Sequence, residues 1–157
     1  MLKPPTIPLG ARTINAVLRT LGPLTRFGRP LSAEGLEHDA QEKTGRSDFG
    51  GVSHREGLRR LVDSLNEEAH LTPLGRLIAR EELLTALGNR LQLQAYHRDH
   101  PEIGTIPIER PVIIIGMGRS GTTILHELLA LDPENRTPAT WEVEMPFPPP
   151  ETATYQN

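Results

Sequence analysis

From residue 53 to residue 100 the apolar positions of this chain recur at helical spacing. Ser53-His54-Arg55-Glu56 has the spacing of a capping box, and Leu58, Leu61, Val62, Leu65 and Ala69 continue as one stripe, which predicts a helix. Thr72-Pro73 offers an N-cap with proline in the first turn of the next helix. Leu74, Leu77, Ile78, Leu84, Leu87 and Leu91 carry that second stripe to about His100, where Pro101 stops it; Gly88 is placed to break it. Upstream the pattern weakens. Ile14, Val17, Leu18 and Leu21, closed by Gly22-Pro23, predict a short packing helix, with an interfacial helix as the alternative. Glu34 to Gly51 is polar and glycine-containing with few apolar anchors, which predicts a loop or flexible linker.

Past His100 the periodicity changes twice. Ile103 to Ile108, interrupted by Gly104 and Pro107, reads as a linker or a short edge strand. Val112 to Ile115 is an all β-branched run between Pro111 and Gly116, the signature of a parallel strand buried on both faces. From Ile124 the spacing becomes helical again, with Leu125, Leu128, Leu129 and Leu131 on one face. Between strand and helix lie Gly116, Gly118 and Gly121, with Arg119, Ser120, Thr122 and Thr123 among them.

A strand, a glycine loop and a helix in that order form a phosphate-binding geometry. The first turn of a helix has unpaired N–H groups and the positive end of the macrodipole, and glycines let the loop backbone come close to an anion. Ser120, Thr122 and Thr123 add hydroxyl donors, and Arg119 adds a planar fork of charge-assisted ones. The plainer alternative is an ordinary strand-to-helix turn with a surface arginine. Gly116 and Gly121 have the spacing of a Walker A loop, but Thr122 stands where its lysine belongs, which weakens a kinase or hydrolase reading. Gly116, Gly118 and Gly121 also satisfy a dinucleotide fingerprint literally. Glu142 would be its ribose-binding acid, yet no second β-branched run leads up to that residue.

Composition narrows the field. A chain of 157 residues suits one modest domain, and 15 prolines and 14 glycines with only 36% hydrophobic residues imply many loops around a thin core. A net charge of −3 and a pI near 6.1 give no electrostatic footprint for nucleic acid or an anionic membrane. The absence of cysteine excludes disulfides and thiolate metal sites. No signal peptide and no membrane span is legible, so the cytoplasm is the expected compartment. His97, Asp99 and His100 suit the solvated end of a helix better than a metal cluster, and His126 suits packing beside the loop better than catalysis.

Gly118-Arg119-Ser120-Gly121-Thr122-Thr123 resembles the loop by which sulfotransferases hold the 5′-phosphosulfate of 3′-phosphoadenosine 5′-phosphosulfate (PAPS). His126-Glu127-Leu128-Leu129-Ala130-Leu131-Asp132-Pro133, Thr140-Trp141-Glu142 and the proline-rich run from Pro146 to Pro150 resemble a bacterial group of that family. The close resemblance covers residues 111–150, and a looser one reaches back through the helical stretch.

It implies an α/β, P-loop-type parallel-sheet nucleotide-binding fold, truncated here, preceded by a helical N-terminal region. The expected divisions are residues 1–52 with one weak helix and a linker, 53–100 as a helical cap, and 101–157 as the incomplete PAPS-binding domain. PAPS is then the co-substrate and a hydroxyl compound the acceptor, with no metal, no nucleic acid and no membrane span. Gly118, Arg119, Ser120, Gly121, Thr122 and Thr123 are implied to bind the donor. Arg119 is implied to stabilise charge on the bridging oxygen, and Glu142 to act as catalytic base, with a helix-cap or salt-bridge role as its alternative. Contacts to the 3′-phosphate are expected from later segments. The competing expectation is an inactive helical interaction module, residues 54–100, with a vestigial phosphate loop; a P-loop kinase is the weaker third.

Overall fold

The computed structural model describes residues 8–21, 29–147 and 149. The chain divides into two compact units, Met1–Asp99 and His100–Asn157. The first holds four helices: α1 (Leu9–Leu21), α2 (Ala33–Thr44), α3 (Ser53–Glu67) and α4 (Pro73–Asp99). The second holds a 3-10 turn at Pro101–Thr105, α5 (Thr122–Ala130) and α6 (Thr140–Glu144).

The stretch from Glu34 to Gly51 corrects its loop expectation. Most of it is α2, whose two apolar anchors, Leu36 and Ala40, lie four residues apart and are both buried where α2 packs on α4. Both ends are specified. Ser32 Oγ accepts the Gly35 N–H at 3.1 Å, and Gly45, at φ 65°, returns its N–H to Gln41 O at 2.8 Å. The Glu34 carboxyl is held below the usual carboxylate range by its own backbone N–H and then by the Ser32 hydroxyl. Asp39 pairs with Arg80 and Lys43 with Glu81 across the α2–α4 contact. The rest of the stretch is tied down as well, because Phe49 is buried and its carbonyl accepts Arg90 Nε at 2.7 Å.

Helix α3 forms as its stripe requires, with Leu58 and Val62 buried, although Leu61 faces solvent. Its predicted capping box does not form. Val52 is the N-cap and Ser53 is already helical, so Ser53 Oγ accepts instead from Arg90 Nη2 at 3.4 Å, and Glu56 pairs with Arg59 and Arg60. The N-cap of α4 is as read: Thr72 Oγ1 accepts the Gly75 N–H at 3.1 Å. Asn15 of α1 takes the neighbouring Leu74 N–H at 3.0 Å, which docks α1 on the start of α4.

Gly88 does not break α4. It lies in the buried face where α2 ends, with Thr44 Cγ2 3.5 Å from where its β-carbon would stand. A mid-helix glycine costs about 1 kcal/mol, less than burying the leucines that flank it. Leu84, Leu87 and Leu91 complete one core with Leu31, Leu36, Ala40, Phe49, Leu58 and Val62. Asn66 closes it from the side: its amide oxygen accepts the Leu31 N–H at 3.0 Å and its amide nitrogen donates to Leu31 O at 2.9 Å.

In the second unit neither of the two anticipated strands is seen among the described residues, and for residues 103–108 this leaves the linker alternative. Ile103–Ile108 contributes to the 3-10 turn rather than to an edge strand, since Pro101 fixes a turn-compatible φ and Ile106 N–H bonds back to Ile103 O at 3.1 Å. Val112–Ile115 forms no ladder, and there is no strand among the described residues. A strand exists only through its neighbours, and without them Val112, Ile113 and Ile115 stand in solvent, Ile115 at 90% exposure, while Ile114 is half-buried. No described helix is long and apolar enough to cross a membrane.

Leu91 is fully buried at the centre of the helical core. Leu91→Ala is expected to lower unfolding stability by about 2–5 kcal/mol, read by urea denaturation with circular dichroism. A loss below about 1 kcal/mol would show that α4 does not organise the core.

Candidate functional site

The loop between Gly116 and α5 is a tight turn closed on itself. Ser120 N–H donates to Met117 O at 3.2 Å, and the Ser120 hydroxyl donates to the same oxygen at 2.7 Å. The turn returns so closely that a β-carbon on Gly116 would stand 2.6 Å from both Ser120 Oγ and Thr122 Cγ2. Nothing lies within 4 Å of the corresponding point on Gly118. Glycine at 116 is therefore favoured by space, not by local conformation, since a β-carbon there would push the Ser120 or Thr122 side chain aside.

Two residues of the loop lie in the left-handed region. Gly121 has φ 91°, which glycine adopts freely, but Arg119 has φ 67°. An L-residue there costs about 1–2 kcal/mol. Backbone strain of this kind concentrates at ligand-binding turns. The Arg119 side chain is exposed and has no ion pair among the described residues.

Gly121 is the N-cap of α5 and supplies no side chain to cap it, which leaves the first-turn N–H groups open to an anion. The structure thus brings Gly118, Arg119, Ser120, Gly121, Thr122 and Thr123 together at one helix N-terminus. Ser120 differs from expectation in detail: its hydroxyl proton braces the turn, so Thr122 and Thr123 are the hydroxyl donors left for a ligand.

A cavity of about 690 Å³ opens beside this end of α5, lined by Ile114, Thr122, Thr123 and His126 on one side and by Thr137 and Thr140 on the other. His126 lines this cavity, and its Nδ1 is 3.9 Å from Glu127 Oε1. Neither Arg119 nor Glu142 lines it.

Glu142 sits in the first turn of α6. Its Oε2 accepts the Ala139 N–H at 2.6 Å, and its Oε1 accepts Arg136 Nη2 at 2.9 Å. Since Ala139 has only a methyl, this is half of a reciprocal cap. The carboxylate is 12% exposed, whereas Arg136 is 76% exposed. Both plain roles foreseen for Glu142, helix cap and salt bridge, are therefore filled, and each oxygen keeps a further lone pair. Sequence reasoning missed Arg136. It lies six residues from Glu142 across a proline-containing loop, a separation that no periodic pattern exposes.

Just past the end of α4, His100 Nδ1 contacts Glu102 Oε1 at 3.0 Å. Among the described residues, potential metal ligands group only at His38, Asp39 and Glu42, where Asp39 is already engaged by Arg80.

Comparison with known proteins bears on this loop directly. The model of the sulfotransferase family matches residues 111–156, beginning at the β-branched run and taking in the whole loop, α5 and α6. Among solved structures, the chain is similar to the sulfotransferase STF1 of Mycobacterium tuberculosis H37Rv, with a TM-score of 0.70 and 36% identity over 80% of this chain. It is similar also to the sulfotransferase STF9 of Mycobacterium avium, with a TM-score of 0.69 and 41% identity over 78% of this chain. The matches cover 35% and 31% of those two proteins, so the chain spans about a third of their length. No curated protein sequence matches it. The loop, α5 and α6 thus lie inside a match to the sulfotransferase family, and most of the described backbone is similar to part of two sulfotransferases.

Proposed function

We propose that the loop from Gly118 to Thr123 holds the 5′-phosphosulfate end of PAPS, and that the chain serves sulfuryl transfer to a hydroxyl acceptor. The observation that carries this reading is the uncapped N-terminus of α5 behind a tight turn that packs the Ser120 and Thr122 side chains against Gly116. In this reading Val112–Ile115 is a parallel strand of the complete sheet, and its exposed β-branched side chains are the surface that neighbouring strands and helices cover.

The donor supplies a sulfuryl group. The acceptor oxygen bonds to sulfur, the bond from sulfur to the bridging oxygen of the nucleotide breaks, and the acceptor hydroxyl gives up its proton. The first-turn N–H groups of α5 and the hydroxyls of Thr122 and Thr123 hold the 5′-phosphate. Arg119, on a left-handed turn and without an ion pair among the described residues, is assigned in this reading to the charge that grows on the leaving oxygen. Glu142 takes the acceptor proton on a lone pair that neither Arg136 nor the Ala139 N–H occupies. Thr122 in place of a Walker lysine favours this reading over phosphoryl transfer from ATP.

Calorimetric titration with 3′-phosphoadenosine 5′-phosphate, with ATP as the comparison, is expected to show saturable binding that prefers the former. Arg119→Ala removes a charge-assisted contact and should weaken it about tenfold or more. Gly116→Ala should abolish it by displacing Ser120 and Thr122, whereas Gly118→Ala should leave it within about threefold, because the added methyl meets open space. Equal effects of the two glycine substitutions would contradict the loop geometry. In a sulfuryl-transfer assay with PAPS and a panel of alcohols, Glu142→Gln should lower the rate by about 10²–10⁴ while nucleotide affinity holds. An unchanged rate would leave Glu142 a cap and nothing more.

A further inference from the structure

The net charge of −3 averages over two segments of opposite sign. All 20 acidic residues lie from Glu34 onward, whereas Lys3, Arg12, Arg19, Arg26 and Arg29 precede it with no acid among them. Helix α1 is the described element of this basic stretch, and it is amphipathic in an unusual way. Ala11, Asn15 and Leu18 recur at helical spacing and form its less exposed stripe; Asn15 is buried and bonded to Leu74 of α4. On the stripe beside it Ile14 and Val17 each remain 49% exposed, and Leu9 is 83% exposed. Arg12 and Arg19, seven residues apart, occupy the opposite stripe and are both exposed. Docking on α4 therefore uses only part of the apolar surface of α1.

We infer that this face of α1 is a docking surface for an anionic lipid bilayer. A helix with exposed aliphatic side chains on one stripe, cationic side chains on another and no acid lies at a lipid–water interface, its aliphatic groups entering the acyl boundary while the cations draw it to anionic headgroups. Nucleic acid would use the arginines but leave Ile14 and Val17 without a role. A second copy of the chain would bring its own Arg12 and Arg19 to the contact and be repelled. The attraction acts within a Debye length of about 8 Å at physiological salt, so it depends on the local segment and not on the net charge of the chain. Binding needs no membrane span, and it is independent of the sulfotransferase reading.

The test is co-sedimentation of the whole chain with vesicles of phosphatidylglycerol mixed with phosphatidylcholine, against phosphatidylcholine alone. Binding is expected to be about tenfold or more tighter on the anionic vesicles and to weaken as salt rises. The double variant Ile14→Ser, Val17→Ser should lose about tenfold of it, and Arg12→Glu, Arg19→Glu at least as much. Both pairs are exposed on α1, and unchanged circular dichroism checks that the fold holds. No binding to anionic vesicles would overturn the inference, as would binding indifferent to Ile14 and Val17. Two further results would do the same: tighter binding to an oligonucleotide than to the vesicles, and self-association in sedimentation velocity abolished by the serine variants.

Discussion

Ser120 and Thr122 fold back onto the α-carbon of Gly116, and that approach fixes where the donors of the loop point. A β-carbon at 116 would press on the Ser120 hydroxyl and the Thr122 methyl, so those side chains would have to shift, and the bond from the Ser120 hydroxyl to Met117 O is the contact most exposed to that shift. The left-handed backbone at Arg119 is tolerated for the same reason: the closed turn over-determines it.

The helical unit depends on a different constraint, the burial of one face of α4. Leu84, Leu87 and Leu91 meet side chains from α2, α3 and the segment around Phe49, and the polar groups at the edges are satisfied by side chains acting as backbone. Asn66 pairs with both polar groups of Leu31, and Asn15 takes an N–H that α4 would otherwise leave open. Such bonds join segments far apart in sequence, so they hold the unit as one body where the ion pairs on its surface contribute little.

What the sequence reveals follows from how each signal arises. The stripes of α3 and α4 are dense in leucine, and both helices are legible. Helix α2 is not, because Leu36 and Ala40 are its only buried anchors in a charged segment, and two residues do not make a period until α4 is there to receive them. The capping box at Ser53 has the right spacing and the wrong register: Arg90, 37 residues away, engages that hydroxyl. Val112–Ile115 has the composition of a buried strand, but pairing is a property of neighbours, and none of the described residues supplies one. At the loop the residue types suffice to point to phosphate. The strain at Arg119 and the bracing role of the Ser120 hydroxyl need coordinates.

The central claim is that the backbone at the start of α5 grips a nucleotide 5′-phosphate. Amide chemical-shift mapping during titration with 3′-phosphoadenosine 5′-phosphate tests it most directly, because it reports on the N–H groups themselves. The account predicts that the amides of Gly118 to Ile124 shift first and furthest, with those of α2 to α4 unmoved. Shifts centred on the helical unit, with the loop silent, would contradict it.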